Sequence, residues 1–157
     1  IIQNQINMKT ILVALAMVLA ISQGNAQKIS TKDVPVNVKS SLEKTYAVKD
    51  VDWSKEGANY EASFEQNGTD ISVVLDGIGS ILETEREIKK SELPSAIHDL
   101  LKKDYAAFEI EETAKIESKG EITYEVEVEK GKQTFDLIFD VNGKLLKKLS
   151  KEDEEKD

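Results

Sequence analysis

The sequence predicts an α+β protein in which two tandem repeats, each a helix followed by four strands, form one curved antiparallel sheet with both helices packed on one face. Three observations support this fold class. Apolar residues recur at helical spacing in two stretches, each stretch is followed by segments of alternating polar and apolar residues, and glycine or asparagine stands where those segments end. Each helical stripe needs a sheet to cover it, which favours a shared sheet.

The first element is an export signal. Lys9 precedes an apolar run at 11–21, which is followed by the small-residue pattern Gly24-Asn25-Ala26. This arrangement is typical of a secretory signal peptide, here at 8–26 with cleavage after Ala26. A buried core helix is the alternative, whereas a membrane span would need roughly 20 apolar residues.

The signal predicts the compartment. No cysteine follows the apolar run, so a lipoprotein anchor is excluded. We therefore expect a periplasmic or secreted protein with no membrane anchor. Residues 1–7 precede the expected start, Met8, and we interpret them as upstream sequence that is not part of the natural product.

Two matching stretches predict the helices. Apolar residues at intervals of four form one stripe in each: Val34, Val38, Leu42 and Tyr46, then Leu93, Ile97, Leu101 and Tyr105. Pro35 and Pro94 stand where the first turn of a helix tolerates proline. Asp33 and Ser91 are the nearest candidates for the N-caps.

Strands are expected after each helix. Their predicted ranges are 49–55, 58–66, 69–76 and 80–88, then 108–118, 121–130, 133–140 and 144–150. Glycine, often next to asparagine or aspartate, separates many of these segments, as tight hairpins require. We place the first repeat at 27–90 and the second at 91–150. The tail 151–157 has no apolar residue and is expected to be a disordered acidic tail.

Alternation along the strands predicts a second, outer face of the sheet, turned away from the helices. This face is acidic with a few apolar positions, and it is the predicted protein-binding face. Its candidate residues, with Trp53 near one edge, are Trp53, Glu61, Glu65, Val74, Glu125, Glu127, Glu129, Asp136 and Ile138. An ordinary solvated sheet face explains the same pattern, and packing in the core is the alternative for Trp53.

Composition excludes several functions. The formal net charge of -9 opposes binding to the phosphates of nucleic acids and to anionic membrane surfaces. The absence of cysteine excludes disulfides, thiolate metal sites and thiol nucleophiles. The single histidine, His98, has no partners that would make a metal or catalytic site. We expect no cofactor, no metal and no catalytic residues.

Two motifs resemble chemical sites but are interpreted otherwise. Asp140-Val141-Asn142-Gly143 lacks the further ligands of a calcium loop and predicts a hairpin turn. The row of glutamates at 125, 127 and 129 lacks the cleft and the unlike environments that an acid–base pair needs.

The signal, the tandem helix-and-strand units, the Leu-Pro helix start at Leu93 and the Asp-x-x-Gly hairpins resemble the PepSY-like exported proteins of Bacteroidetes. That family resembles the beta-lactamase-inhibitor-protein fold. The resemblance implies a curved antiparallel sheet and a role in protein binding or peptidase regulation, with no catalytic motif to carry over.

Three functions follow as hypotheses. The first is a non-enzymatic exported protein that engages a protein or peptide through the outer face, in an inhibitor-like or peptidase-regulating role. The second is a periplasmic sensor of a small ligand or of envelope stress, with a groove between the repeats. The third and least favoured is a hydrolase. The sequence identifies neither the partner nor the oligomeric state.

Overall fold

A computed structural model describes residues 27–151. The predicted signal peptide at 8–26, the segment 1–7 and the tail from residue 152 onward lie outside the described residues.

Two helices and nine strands make up the described part of the chain. The helices are α1 (Val36–Thr45) and α2 (Ser95–Asp104). The strands are β1 (Gln27–Ile29), β2 (Asp52–Glu56), β3 (Asn59–Gln66), β4 (Thr69–Leu75), β5 (Ile81–Glu87), β6 (Glu109–Ser118), β7 (Glu121–Lys130), β8 (Gln133–Asp140) and β9 (Leu145–Ser150). The predicted α+β fold with a curved antiparallel sheet is confirmed.

The sheet is a continuous meander. Each strand pairs antiparallel with the next one along the chain, in the order β1 to β9. The two halves join where β5 pairs with β6, with Glu85 opposite Ile116. Beyond this pairing, the Thr113 hydroxyl donates a 2.6 Å hydrogen bond to the carbonyl of Ile88, whose own amide donates to the carbonyl of Thr113.

Each helix covers its own half of the sheet. Val38 and Leu42 of α1 are buried in a cluster with residues of β2 to β4. Ile97 and Leu101 of α2 are buried in a second cluster with residues of β7 and β8. The helical stripes therefore face the sheet, as their spacing of four residues predicts.

The Asp-x-x-Gly hairpins fix the start of each helix against the sheet. In the first, the Asp76 carboxylate accepts hydrogen bonds from the amides of Ile78 and Ser80, at 3.0 and 2.8 Å. In the second, Asp140 accepts two from Asn142 and Lys144, both at 2.9 Å.

The glycines that close these hairpins have positive φ angles and lie against the helices. Gly79 (φ +87°) lies against the backbone of Asn37, and Gly143 (φ +80°) lies against Ala96. A side chain would not fit at either position, because a Cβ on Gly143 would be 2.5 Å from the Cβ of Ala96.

The predicted N-caps are wrong. Pro35 and Pro94 occupy the N-cap positions, and neither helix has a side-chain cap. Asp33 and Ser91 lie one turn earlier, in short 3-10 helices at Thr31–Asp33 and Lys90–Glu92. These extra turns occupy the residues that would otherwise cap the helices.

Strand β1 is not predicted by the sequence analysis. Its three residues pair with β2, Ile29 opposite Trp53, and two of them are exposed. So short a strand carries no alternating pattern that could be recognised, and its pairing with β2 defines it.

Candidate functional site

The outer face of the sheet, opposite the helices, carries a central row of carboxylates. The strand register places Glu61 opposite Val74, and Val74 opposite Glu83. Glu125 lies opposite Ala114 on one side and Ile138 on the other. Two residues further along β7, on the same face, Glu127 lies between Glu112 of β6 and Asp136 of β8. We use the name acidic centre for the carboxylates of this row, which are Glu61, Glu83, Glu85, Glu112, Glu125, Glu127 and Asp136.

Much of the acidic centre is buried although both helices pack on the opposite face. Glu85 is 6% exposed, Glu125 is 8% exposed and Asp136 has no exposed surface. Apolar neighbours on the same face are buried as well: Val74, Ala114, Ile116 and Ile138. Side chains on this face therefore shield one another from solvent.

Glu61 has hydrogen-bond partners within the sheet. The Ser54 hydroxyl donates to one of its carboxylate oxygens at 2.9 Å, and the Ser72 hydroxyl donates to the other at 2.7 Å. Both donors lie on neighbouring strands, so Glu61 is held in place by side chains on each side.

Glu85 and Glu125 are less well accommodated. In each, the oxygen Oε2 is buried and has no hydrogen-bond partner in the described structure. Burial, together with the charges of Glu125 and Glu112, raises the pKa of Glu85 to about 9. Burial, together with the charges of Asp136 and Glu112, raises the pKa of Glu125 to about 8.

Lys151 brings a cation to one side of the acidic centre. Its ammonium group forms an ion pair with Glu127 and lies 3.6 Å from Oδ1 of Asp136. Although burial opposes the charged form, these carboxylates raise the pKa of Lys151. The predicted acidic tail begins at Lys151, but this residue packs on the outer face.

The comparison with known families agrees with this architecture. A family model described as "Putative beta-lactamase-inhibitor-like, PepSY-like" matches residues 21–83 and 58–147, which together cover most of the chain. The chain belongs to the PepSY-like family. The two overlapping matches bear out the resemblance identified from the sequence.

Solved structures share the fold of this PepSY-like chain. A DUF2874 family protein from Bacteroides uniformis has 23% identity and a TM-score of 0.68, over 74% of this chain and 88% of that one. A Bacteroides eggerthii protein, described as one of the "putative periplasmic proteins", has 19% identity and a TM-score of 0.70, with the same coverage. A BLIP-like protein from Bacteroides fragilis has 24% identity and a TM-score of 0.63, over 74% and 86%.

No curated protein matches this PepSY-like sequence. Within residues 27–151, neither helix has the length and hydropathy of a membrane span. Within the same residues, no group of three or more histidines, cysteines, aspartates or glutamates is arranged to hold a metal ion.

The structure brings together seven of the nine predicted site residues of the PepSY-like chain on or around the acidic centre. Five are carboxylates or apolar residues on the outer face, and Glu61 and Glu127 join them through the contacts given above. The first five are Val74, Glu125, Asp136 and Ile138, which are buried, and Glu129, which is exposed. Glu65 is also exposed, opposite Asp70 at the end of β3.

Trp53 does not lie on the predicted face. It is 3% exposed and packs in the cluster beneath α1, in register with Ala62. It also lines a cleft of about 430 Å³ beside α1, together with Leu42, Val48 and Lys39. The alternation along β2 places position 53 on the helix side, so the core alternative for Trp53 is the correct one.

Glu83, Glu85 and Glu112 belong to the site although they are not among the residues predicted from the sequence. The alternating segment Glu83-Thr84-Glu85 carried the signal that these glutamates share one face. The burial of Glu85 could not be predicted from this pattern, because it depends on the pairing of β5 with β6 across the junction between the repeats.

Proposed function

We propose that this protein is a non-enzymatic binding protein of the bacterial cell envelope that engages a protein or peptide through the outer face of its sheet. The observation that carries the proposal is the acidic centre. Carboxylates that are buried on a face without a covering helix are poorly solvated, and a partner that supplied hydrogen-bond donors would stabilise them.

The location and the mode of binding have separate support. The expected signal peptide at 8–26 and the description of the Bacteroides eggerthii protein support a periplasmic or secreted location. The family description and the BLIP-like neighbour support an inhibitor-like role, in which the sheet binds another protein. A role in regulating a peptidase is one form of this proposal.

Capture from an envelope extract of the host bacterium tests the proposal. The bait is the chain from Gln27 onward, and the variant is Glu65→Lys with Glu129→Lys, two exposed positions on the outer face. The matched control is Glu43→Lys with Asp99→Lys, two exposed positions on α1 and α2. Both variants change the net charge equally, so a general electrostatic effect would affect both.

We expect a protein partner that is lost with the outer-face variant and kept with the helix variant. A partner lost only with the helix variant would place binding on the opposite side and contradict the proposal. A small molecule found at stoichiometric amount by native mass spectrometry would favour the sensor hypothesis instead. Turnover of a peptide or glycoside substrate by the purified chain would contradict the non-enzymatic assignment.

A further inference from the structure

Glu85 and Glu125 stand on either side of β6. Glu85 on β5 lies opposite Ile116, and Glu125 on β7 lies opposite Ala114. Strands β5 and β7 are each one strand away from β6, so the two backbones are about 10 Å apart. The two positions are offset by two residues, about 7 Å, along the strands. The side chains can therefore approach each other above the small side chain of Ala114.

Each of these glutamates has one carboxylate oxygen that meets no donor. Glu85 and Glu125 are both more than nine-tenths buried, and the Oε2 atom of each is fully covered and unpartnered. Buried polar atoms in native proteins nearly always have a partner, because losing water without a replacement costs about 1–3 kcal/mol. Two such atoms on the strands that flank β6 indicate a donor group that residues 27–151 do not supply.

The surrounding charges favour a cation as that donor. Besides each other, the groups that act most strongly on the pair are Glu61, Glu83, Glu112, Glu127, Asp136 and Lys151. Lys151 is the single cation among these six, and it lies against Glu127 and Asp136. Its position demonstrates that the outer face receives an ammonium group, while the charged groups that act on Glu85 are all carboxylates.

We propose that Glu85 and Glu125 form a socket on the outer face that receives the guanidinium group of one arginine from the bound partner. A guanidinium is planar and has five N–H donors, so it can bond to two separate carboxylates at once. An ammonium is more strongly hydrated and would lose more on entering a buried site. The inference rests on the proposed function, since it names the group that a protein partner inserts into the outer face.

Occupation of the socket is coupled to proton release. Burial raises the pKa of both carboxyl groups above neutrality, so the empty socket holds protons at pH 7. A guanidinium favours the ionised carboxylates and displaces protons on binding. At pH 7, binding should release between one and two protons per ligand, and affinity should rise as the pH increases towards 9.

The test uses N-acetyl-arginine-N-methylamide as the probe and the chain from Gln27 onward. Its neutral, nearly isosteric control is the citrulline analogue, and the lysine analogue tests the choice of cation. Titrations followed by amide NMR should shift the signals of Ala114 and Ile116 with the arginine probe. The arginine probe should bind at least about tenfold more tightly than the citrulline analogue.

Calorimetry in buffers of different ionisation enthalpy then counts the protons released. The variants Glu85→Gln and Glu125→Gln should each weaken binding of the arginine probe and reduce the proton release. The control Glu43→Gln, at an exposed position on α1, should leave both quantities unchanged. Circular dichroism verifies that each variant is folded, and the glutamine side chain keeps the shape of the protonated acid.

Three results would overturn the inference: equal binding of the arginine and citrulline probes, tighter binding of the lysine probe, or binding unaffected by both glutamine variants. The results that would contradict the inference differ from those that would contradict the proposed function. A captured protein that is lost with the outer-face variant but kept with Glu85→Gln and Glu125→Gln would uphold the proposed function and remove the socket. Arginine-specific binding without any captured protein would uphold the socket and remove the protein-binding function.

Discussion

At the scale of single residues, the outer face differs from an ordinary solvated sheet surface because some of its charges are covered. Glu65 and Glu129 are exposed, as charges on an open face normally are, whereas Glu85 and Glu125 are buried among other carboxylates. Covered carboxyl groups lower the stability of the free protein whenever unfolding lets them ionise.

Replacing Glu85 by glutamine should therefore stabilise the protein. The pKa of Glu85 is raised in the folded protein, so at pH 7 unfolding is favoured by ionisation of this carboxyl group. Glutamine cannot ionise, and the free energy of unfolding should increase by ~1–3 kcal/mol at pH 7. Urea denaturation measures the change, with the exposed Glu65→Gln as the control. A loss of stability in Glu85→Gln would contradict the assignment of a buried, protonated carboxyl group.

Replacing Gly143 by alanine should destabilise the protein strongly. The new Cβ would lie 2.5 Å from the Cβ of Ala96, and the residue has φ +80°. Gly131 is a suitable control, because it has φ +65° but no atom within 4 Å of its position for a Cβ. We expect a loss of at least about 2 kcal/mol for Gly143→Ala, and about 1 kcal/mol for Gly131→Ala from backbone strain alone.

Equal losses in the two glycine variants would mean that the contact between the hairpin and α2 is not tight. Chemical denaturation at a fixed pH gives both values on the same scale.

Some residues of the site could be predicted from the sequence and others could not. Strict alternation in β3 and β7 assigned Glu61, Glu125 and Glu127 to the outer face, because neighbouring side chains in a strand point to opposite sides. Burial of Glu85 and contact of Lys151 with Glu127 depend on strands and segments that are far apart in the sequence. Local patterns carry no information on such contacts.

At the scale of elements, each helix contacts the Asp-x-x-Gly hairpin that joins the last two strands of its own half of the sheet. Asn37 of α1 donates a 3.0 Å hydrogen bond to the carbonyl of Gly77, in the hairpin between β4 and β5. The carboxylate of Asp76 organises this hairpin, and the backbone hydrogen bond from Ser80 in particular lowers its pKa. Asp140 organises the corresponding hairpin beside α2.

Removing the Asp76 carboxylate should loosen α1. Asp76→Ala leaves the amides of Ile78 and Ser80 without their acceptor, so the urea midpoint should fall. Asp76→Asn keeps an acceptor oxygen in nearly the same place and should lose less. The measurement is the pair of midpoints at pH 7. An alanine variant as stable as the asparagine variant would show that the side-chain acceptor is not what holds the turn.

The elements were the most predictable part of the molecule. The stripes of α1 and α2 and the glycine-containing turns fixed nearly all strand ranges to within a few residues, since both depend on local spacing. The N-caps were wrong because the short 3-10 helices at Thr31–Asp33 and Lys90–Glu92 replace them. Whether a polar residue caps a helix or belongs to a preceding turn is decided by backbone conformation, which composition does not specify.

At the scale of the whole molecule, stability should depend on pH in an unusual direction. The pKa values of Glu85 and Glu125 are raised above their unfolded values, so the folded protein holds more protons than the unfolded one between about pH 4.5 and 9. This contribution to stability is fully present below the unfolded pKa and is lost as the pH rises through the folded pKa.

The thermal midpoint should therefore be higher at pH 5 than at pH 8, by on the order of 5–10 °C. Scanning calorimetry at constant ionic strength measures it. The double variant Glu85→Gln with Glu125→Gln should show a much flatter profile over the same range. A midpoint in the native chain that rises from pH 5 to pH 8 would contradict the burial of these carboxyl groups in their acidic form.

The strictly sequential order of the sheet has a consequence for how the protein matures. Because every strand bonds to its immediate neighbour in the chain, no strand pairing among the described residues has to wait for a distant segment to be synthesised. This topology allows α1 and its strands to become ordered while the second half is still being synthesised, which shortens the time for which unpaired strands and apolar side chains are exposed to aggregation and proteolysis.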